Sequence, residues 1–255
     1  MNKLTYILFL TFVNVLFSQN ETLTNFTINY EMSLSIDQPK NYNSTLIIKN
    51  YKSYFHWNNI IDKSSSSTDD LGNYKFHIDI TDEIGTINYL NFRTDSIYSR
   101  SLWFKDVIVL KEKRTKIKWN LLDDKKKIAG YNCFKAIGKF RGRTYTVWYT
   151  LEIPLAVGPW KLNGLPGAIL EAFDDEKIIQ FYFKSIKKDK GKDITNYNDI
   201  FSKGKVLSIK EYEKAQKNLA SDIMNKIKSK LPRGTSISFE PSTDNFLEKE
   251  FNNPK

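Results

Sequence analysis

From Thr24 to Glu171 short apolar-rich runs recur between polar breaks, and where apolar and polar residues alternate within a run, the period of two is the signature of a strand with one buried face. The clearest run sets Phe26, Ile28, Tyr30, Met32, Leu34 and Ile36 against Thr27, Asn29, Glu31, Ser33 and Ser35. It predicts a long strand. Runs rich in Ile, Tyr, Phe and Val, bounded by Asn, Asp, Gly and Ser, predict further strands at 44–49, 53–57, 74–80, 86–92, 97–104, 107–111 and 117–122. Between them the serine-rich stretch 62–72 reads as a polar loop with nothing to bury, and Asp123-Asp124-Lys125 reads as a turn. Arg141-Gly142-Arg143 interrupts two strand-like runs, so 136–140 and 144–151 are expected to form an antiparallel hairpin with Gly142 at its tip. On its second strand Tyr145, Val147, Tyr149 and Leu151 share the face expected in the core, and Thr146, Trp148, Thr150 and Glu152 share the other. A last strand is expected at 178–186.

The period changes near Ser208. Ser208 and Glu211 have the spacing of a capping box, and Ile209, Tyr212, Leu219, Ile223 and Ile227 then recur at helical spacing, which predicts a helix over about 209–230 ending before Pro232. Lys210, Lys214, Lys217 and Lys226 mark its solvent face. Together these elements predict a mainly β fold of the α+β kind: a curved antiparallel sheet or half-open barrel with a C-terminal helix packed on it. Residues 19–245 read as one domain, and the tail 246–255 as loose.

One segment departs from strand grammar. Gly158-Pro159 forces extended backbone before the proline, and Leu165-Pro166-Gly167-Ala168 has Pro and Gly where a type II turn needs them. Trp160, Leu162 and Leu165 precede this corner, and Ile169, Leu170 and Phe173 follow it. The stretch Gly164-Leu165-Pro166-Gly167-Ala168-Ile169 resembles the motif of the GLPGLI family, small secreted proteins known mainly from Bacteroidetes, with Ala168 where the family has Leu. Lys127-Ile128-Ala129-Gly130-Tyr131-Asn132-Cys133, Lys135-Ala136, Phe140-Arg141-Gly142-Arg143, Trp148-Tyr149-Thr150, Glu152-Ile153-Pro154 and Gly158-Pro159 resemble the family in order and spacing, although Phe134 stands where the family often has Gln. The resemblance implies an envelope protein and no particular reaction.

The start of the 255-residue chain agrees with that location. Lys3 followed by a nearly all apolar stretch from Leu4 to Leu16, with Ser18-Gln19 as a cleavage point, reads as a signal peptide over residues 1–18. The run is shorter than the ~20 residues a membrane span requires, so an exported, soluble product, periplasmic or extracellular, with no transmembrane segment is expected. Cys133 is the single cysteine, which excludes an internal disulfide and reads as a small buried apolar residue. The formal charge of +10 comes largely from lysines mixed with acids. These lysines lack the arginine–aromatic interleaving of a nucleic-acid surface, so no nucleic-acid partner is expected.

Candidate chemistry is sparse. His56 and His77 sit in strand-like runs with no ligand spacing, so neither a metal nor any other cofactor is expected. The acidic pairs Asp69-Asp70 and Asp123-Asp124, and the run Asp174-Asp175-Glu176, all fall in expected turns and read as exposed carboxylates. Glu152 would need Arg141 or Arg143 as a partner if it were buried. Trp148 and Trp160 are the tryptophans to watch, one opposite the core face and one before the Pro-Gly corner. Weak binding candidates are therefore Arg143, Trp148, Glu152, Trp160, Gly164, Leu165, Pro166 and Gly167, with no catalytic set. The expected role is non-enzymatic: a periplasmic binding or accessory protein whose concave face holds an apolar or peptide ligand. The alternative is an interaction module that docks an envelope protein, such as an outer-membrane transporter, through the Pro-Gly corner. The absence of nucleophile–base signatures disfavours an unrecognised hydrolase.

Overall fold

The computed structural model describes residues 25–35, 39–58, 65–68, 74–77, 82–103, 106–188, 197–229 and 247–251. Residues 1–18, read above as a signal peptide, lie outside these. No helix among the described residues is long and apolar enough to cross a membrane.

Among the described residues, fourteen strands and two helices occur in chain order. They are β1 (Phe26–Leu34), β2 (Lys40–Lys49), β3 (Lys52–Trp57), β4 (Ser65–Thr68), β5 (Tyr74–His77), β6 (Thr86–Asn91), β7 (Ser96–Trp103), β8 (Asp106–Lys113), β9 (Trp119–Ile128), β10 (Tyr131–Phe140), β11 (Arg143–Thr150), β12 (Ala168–Asp174), β13 (Ile179–Lys188), α1 (Tyr197–Ser202), β14 (Lys205–Leu207) and α2 (Ile209–Lys228). Twelve strands form one open sheet in the order β14-β8-β7-β6-β3-β2-β1-β13-β12-β11-β10-β9. It consists of two antiparallel meanders joined where β1 pairs with β13, Phe26 opposite Lys188 and Leu34 opposite Ile179. β14 adds a parallel edge beside β8, and β4 with β5 forms a separate hairpin.

The sheet is strongly curled. Eight strand spacings separate β8 from β11, roughly 40 Å if the sheet were flat. Yet Glu112 on β8 is ion-paired with Arg141 at the β10–β11 tip. Likewise the rings of Phe55 on β3 and Phe181 on β13 lie 5.7 Å apart across two intervening strands. Register shifts in the β1–β13, β10–β9 and β11–β12 pairs add local twist that favours such a curl.

The alternation read from the sequence is obeyed: Ile28, Tyr30 and Met32 on β1 and Tyr145, Val147 and Tyr149 on β11 are buried. The connector 151–167 between β11 and β12 packs into the same core. Its Ile153, Val157, Trp160, Leu162 and Leu165 join the core cluster, and the Trp160 ring packs on Phe140 and Tyr145 at 5.4 and 6.2 Å. The concave face expected to hold a ligand is filled by the chain itself.

Several local expectations are corrected. Ser65–Thr68 is a strand, not loop, because β5 supplies its hydrogen-bonding partner. Asp123 and Asp124 lie inside β9, an edge strand that needs no apolar outer face and whose charges discourage further pairing. Leu151 is exposed, since β11 ends at Thr150. No type II turn forms at 165–168: positive φ falls at Trp160 (55°) and Gly164 (93°), not at Gly167. Gly167 serves close approach instead, for a Cβ there would lie 1.9 Å from the Thr150 carbonyl oxygen. The tail expected to be loose is packed over residues 247–251, with Glu248 and Phe251 buried.

The helix α2 begins as its capping box predicts. The Glu211 carboxylate accepts from the Ser208 amide at 2.8 Å and from its hydroxyl at 2.6 Å. It packs at the sheet's edge on β8 and β14, with Tyr212 against Trp103 and Phe251 at 4.7 and 5.5 Å between ring centres.

Candidate functional site

A groove of about 640 Å³ opens on the outer face of β3, β6, β7 and β8, beneath α1. The register that turns Phe55 and Trp57 inward turns Lys52 and Tyr54 outward, and sets Tyr54 opposite Tyr89 and Tyr89 opposite Tyr98. Three tyrosines therefore stand in a row across three strands. Tyr54 and Tyr89 stack at 4.8 Å and 25°, and Tyr98 follows at 5.9 Å. Phe201 of α1 closes one side, 6.2 Å from Tyr89 and 5.8 Å from Tyr98. Asn91, whose amide donates to the Tyr89 hydroxyl at 3.2 Å, together with Thr94, Ser96 and Ser202, makes the wall polar. Lys52, Val109 and Val206 complete the lining, and the Lys111 ammonium stands 5.6 Å from the Tyr98 ring. Aromatic rings with a few polar groups and a positive rim form a concavity of ligand size.

On the opposite face, a second arrangement is closed to solvent. Lys161, from the connector, donates to Glu112 Oε1 at 2.7 Å and is hydrogen-bonded to Glu248 Oε1. Arg141 pairs with Glu112 Oε2, and its Nε lies 3.3 Å from Glu248 Oε2. All four side chains are at most 8% exposed. Two cations thus meet two carboxylates, the balance that buried charge requires. Beside them Arg143 Nη1 donates to Asp174 Oδ2 at 2.7 Å, and Asp174 Oδ1 accepts from the Ile179 amide at 2.8 Å. Asp174 is thus no exposed turn carboxylate. The Tyr145 hydroxyl is buried there without a hydrogen-bond partner among the described residues, and burial pushes its pKa up.

The residues singled out from sequence do not converge. Arg143 belongs to the buried network. Glu152 is exposed and accepts from the Asn132 amide at 2.8 Å and side chain at 3.0 Å, not from an arginine. Trp148 is half-buried on the outer face of β11 under the Lys126 ammonium, 4.5 Å from its ring centre, and Lys126 also pairs with Glu171. Trp160 and Leu165 point into the core, Gly167 is buried, and of the corner only Gly164 and Pro166 are exposed. His56 Nε2 lies 2.8 Å from the Ile84 carbonyl oxygen. Cys133 is buried, and desolvation raises its pKa to about 11. Among the described residues, no group of three His, Cys, Asp or Glu is placed to hold a metal.

Glu112 and Asp174 carry a signal in the sequence. Each continues a buried period of two, Ile108-Leu110-Glu112 and Ala168-Leu170-Ala172-Asp174, and an acid on an inward position demands a buried cation. The tyrosine row has no such signal, because strand order decides which tyrosines become neighbours.

Comparison with known proteins places part of this architecture. A family described as the N-terminal domain of N-glycanase peptide, PNGase F-II, matches residues 98–211, less than half of the chain. The solved structure of PNGF-II in space group P21 is similar with a TM-score of 0.52 at 16% identity, covering 77% of this chain and 34% of that one. This chain therefore spans about a third of that protein's length. A conserved protein from Thermus thermophilus aligns with a TM-score of 0.40 at 7% identity, over 78% of this chain and 99% of that one. A Vibrio parahaemolyticus domain provisionally assigned to outer-membrane lipoprotein sorting aligns with 0.32 at 10%, over 75% and 96%. A search by sequence among proteins of curated function finds no match. The likeness to PNGF-II is one of fold.

Proposed function

We propose that this chain is an exported, non-enzymatic binding or accessory protein of the bacterial envelope, of GLPGLI type, and that its ligand site is the tyrosine-lined groove on the outer face. The groove is the observation that carries the reading: about 640 Å³ lined by three tyrosines, a phenylalanine, short polar side chains and a lysine. Pockets of ~300–1,000 Å³ with this mixture hold small ligands or short chain segments. A ligand with apolar or peptide character fits, its flat groups against the aromatic edges and its polar groups on Asn91, Thr94 and Ser96. The connector fills the concave face, so binding moves to the side of the sheet opposite to the one the sequence suggested.

A second reading of the same groove has its own support. The matched segment 98–211 includes Tyr98, Val109, Phe201, Ser202 and Val206 of the groove, and the family's name ties it to an N-glycanase. An oligosaccharide ligand suits aromatic edges bordered by hydroxyl and amide groups equally well.

Native mass spectrometry on protein purified from its own envelope fraction tests both readings. The expected result is an adduct that disappears in Tyr89→Ala, with a fragment mass that tells peptide from sugar. A clean apo mass in both proteins would overturn the assignment of the groove.

A further inference from the structure

Residues 247–251 lie in a cleft built from three separate parts of the fold, and the contacts are those of a receptor for a short segment with bends at Leu247 and Lys249. Three main-chain carbonyls are recognised: Arg143 Nε donates to Leu247 O at 3.2 Å, Gln216 Nε2 to Glu248 O at 2.9 Å and Arg141 Nη1 to Phe251 O at 3.1 Å. The Lys249 amide donates to Arg141 O at 3.0 Å. Side chains add selectivity. Glu248 enters between Lys161 and Arg141, and the Phe251 ring sits against Tyr212 at 5.5 Å and under the Arg141 guanidinium at 5.6 Å. Opposite Lys249, a Cβ on Gly142 would come within 2.9 Å of the Lys249 Cβ, so the hairpin tip is shaped to the segment.

Charge decides what such a cleft accepts. Without Glu248, Arg141 and Lys161 would face Glu112 alone, leaving a buried positive surplus. An occupant must therefore bring a carboxylate, followed three positions later by an aromatic ring. The segment is held by turn and side-chain contacts that lie outside the strand ladders of the sheet.

We propose that this cleft is a protein-recognition site for a short partner segment with Glu at one position and an aromatic three residues on, and that residues 247–251 are its built-in competitor. This inference is independent of the outer groove. A partner that supplies the same carboxylate and ring exchanges with the resident at little electrostatic cost, and one lacking either is excluded.

The test uses the full chain and a fluorescein-labelled peptide of residues 245–253. In the double variant Glu248→Gln, Phe251→Ala the resident is weakened, so the peptide should bind at least ten-fold more tightly than to wild type. Peptides carrying Gln for Glu248 or Ala for Phe251 should lose that gain. Wild type supplies the second readout: excess unlabelled peptide should abolish hydrogen-exchange protection of the Lys249 amide in ¹⁵N-labelled protein. Equal peptide affinity for both proteins, or Lys249 protection unchanged by millimolar peptide, overturns the proposal and leaves residues 247–251 as a permanent strap. A concentration-dependent dimer that exchanges this segment between copies, with no peptide competition, overturns it as well.

Discussion

Replacing Lys161 with Met keeps the length of the side chain and deletes its charge. In the native protein the ammonium bridges Glu112 Oε1 at 2.7 Å and Glu248 Oε1, and the side chain is 1% exposed. Lys161→Met leaves two carboxylates with Arg141 as their one remaining cation in the cluster. Removing one partner from a buried ionic group costs about 3–5 kcal/mol, because the charge left behind has lost both water and its counter-ion. For a domain of this size each kcal/mol corresponds to ~2–4 °C, so the melting temperature should fall by roughly 6–20 °C. Total stability of ~5–15 kcal/mol leaves the variant folded but weakened. The double variant Lys161→Met, Glu112→Gln restores neutrality, with Arg141 facing Glu248. It should recover about 2 kcal/mol relative to the sum of the single changes, a coupling expected for side chains in one network. Urea unfolding followed by tryptophan fluorescence gives all four corners of the cycle. If Lys161→Met lies within ~1 kcal/mol of wild type, or the double variant is no better than additive, the buried cluster does not close the sheet and the reasoning fails.

Gly167→Ala should destabilise by more than ~3 kcal/mol, since the new Cβ would lie 1.9 Å from the Thr150 carbonyl oxygen and must push β12 off β11; a melting temperature within a few degrees of wild type would contradict this. Asp82 supplies a pH dependence. Burial raises its pKa, but the hydrogen bond and charge of Arg100 and the amides of Gly85 and Ile84 outweigh it and hold the carboxyl below the usual range. A depressed native pKa contributes stability that is present above the unfolded value, ~3.9, and lost as pH falls through the native one. Acid titration of stability should therefore show a loss below about pH 4 that shrinks in Asp82→Asn; an unchanged acid limb would refute the pairing.

The alternation of β1 and of 145–149, the capping box at Ser208 and the hairpin centred on Gly142 were legible because each is set by neighbours within a few residues. Period two fixes which side chains share a face, and the turn residues fix where a strand stops. The same local information misread residues 65–68 and 123–124 as non-strand, for a polar run becomes a strand when a partner edge is available. It also misjudged the Pro-Gly corner, where the demand on Gly167 comes from the Thr150 carbonyl across the sheet rather than from its own φ.

The candidate sites were decided at longer range. Glu112, Arg141, Lys161 and Glu248 come from a strand, a hairpin tip, a connector and the tail, and only a curled sheet brings them within bonding distance. Tyr54, Tyr89 and Tyr98 become a row only because β3, β6 and β7 are laid side by side. The amino-acid sequence by itself determined the type of structure, the buried face of the regularly alternating strands such as β1 and β11, and the start of the helix, since these follow from spacing and backbone preference along the chain. Strand order, the filling of the concave face and the capture of residues 247–251 were decided by tertiary structure. Each depends on which distant surfaces meet, and on the need of every buried charge there for an opposite one.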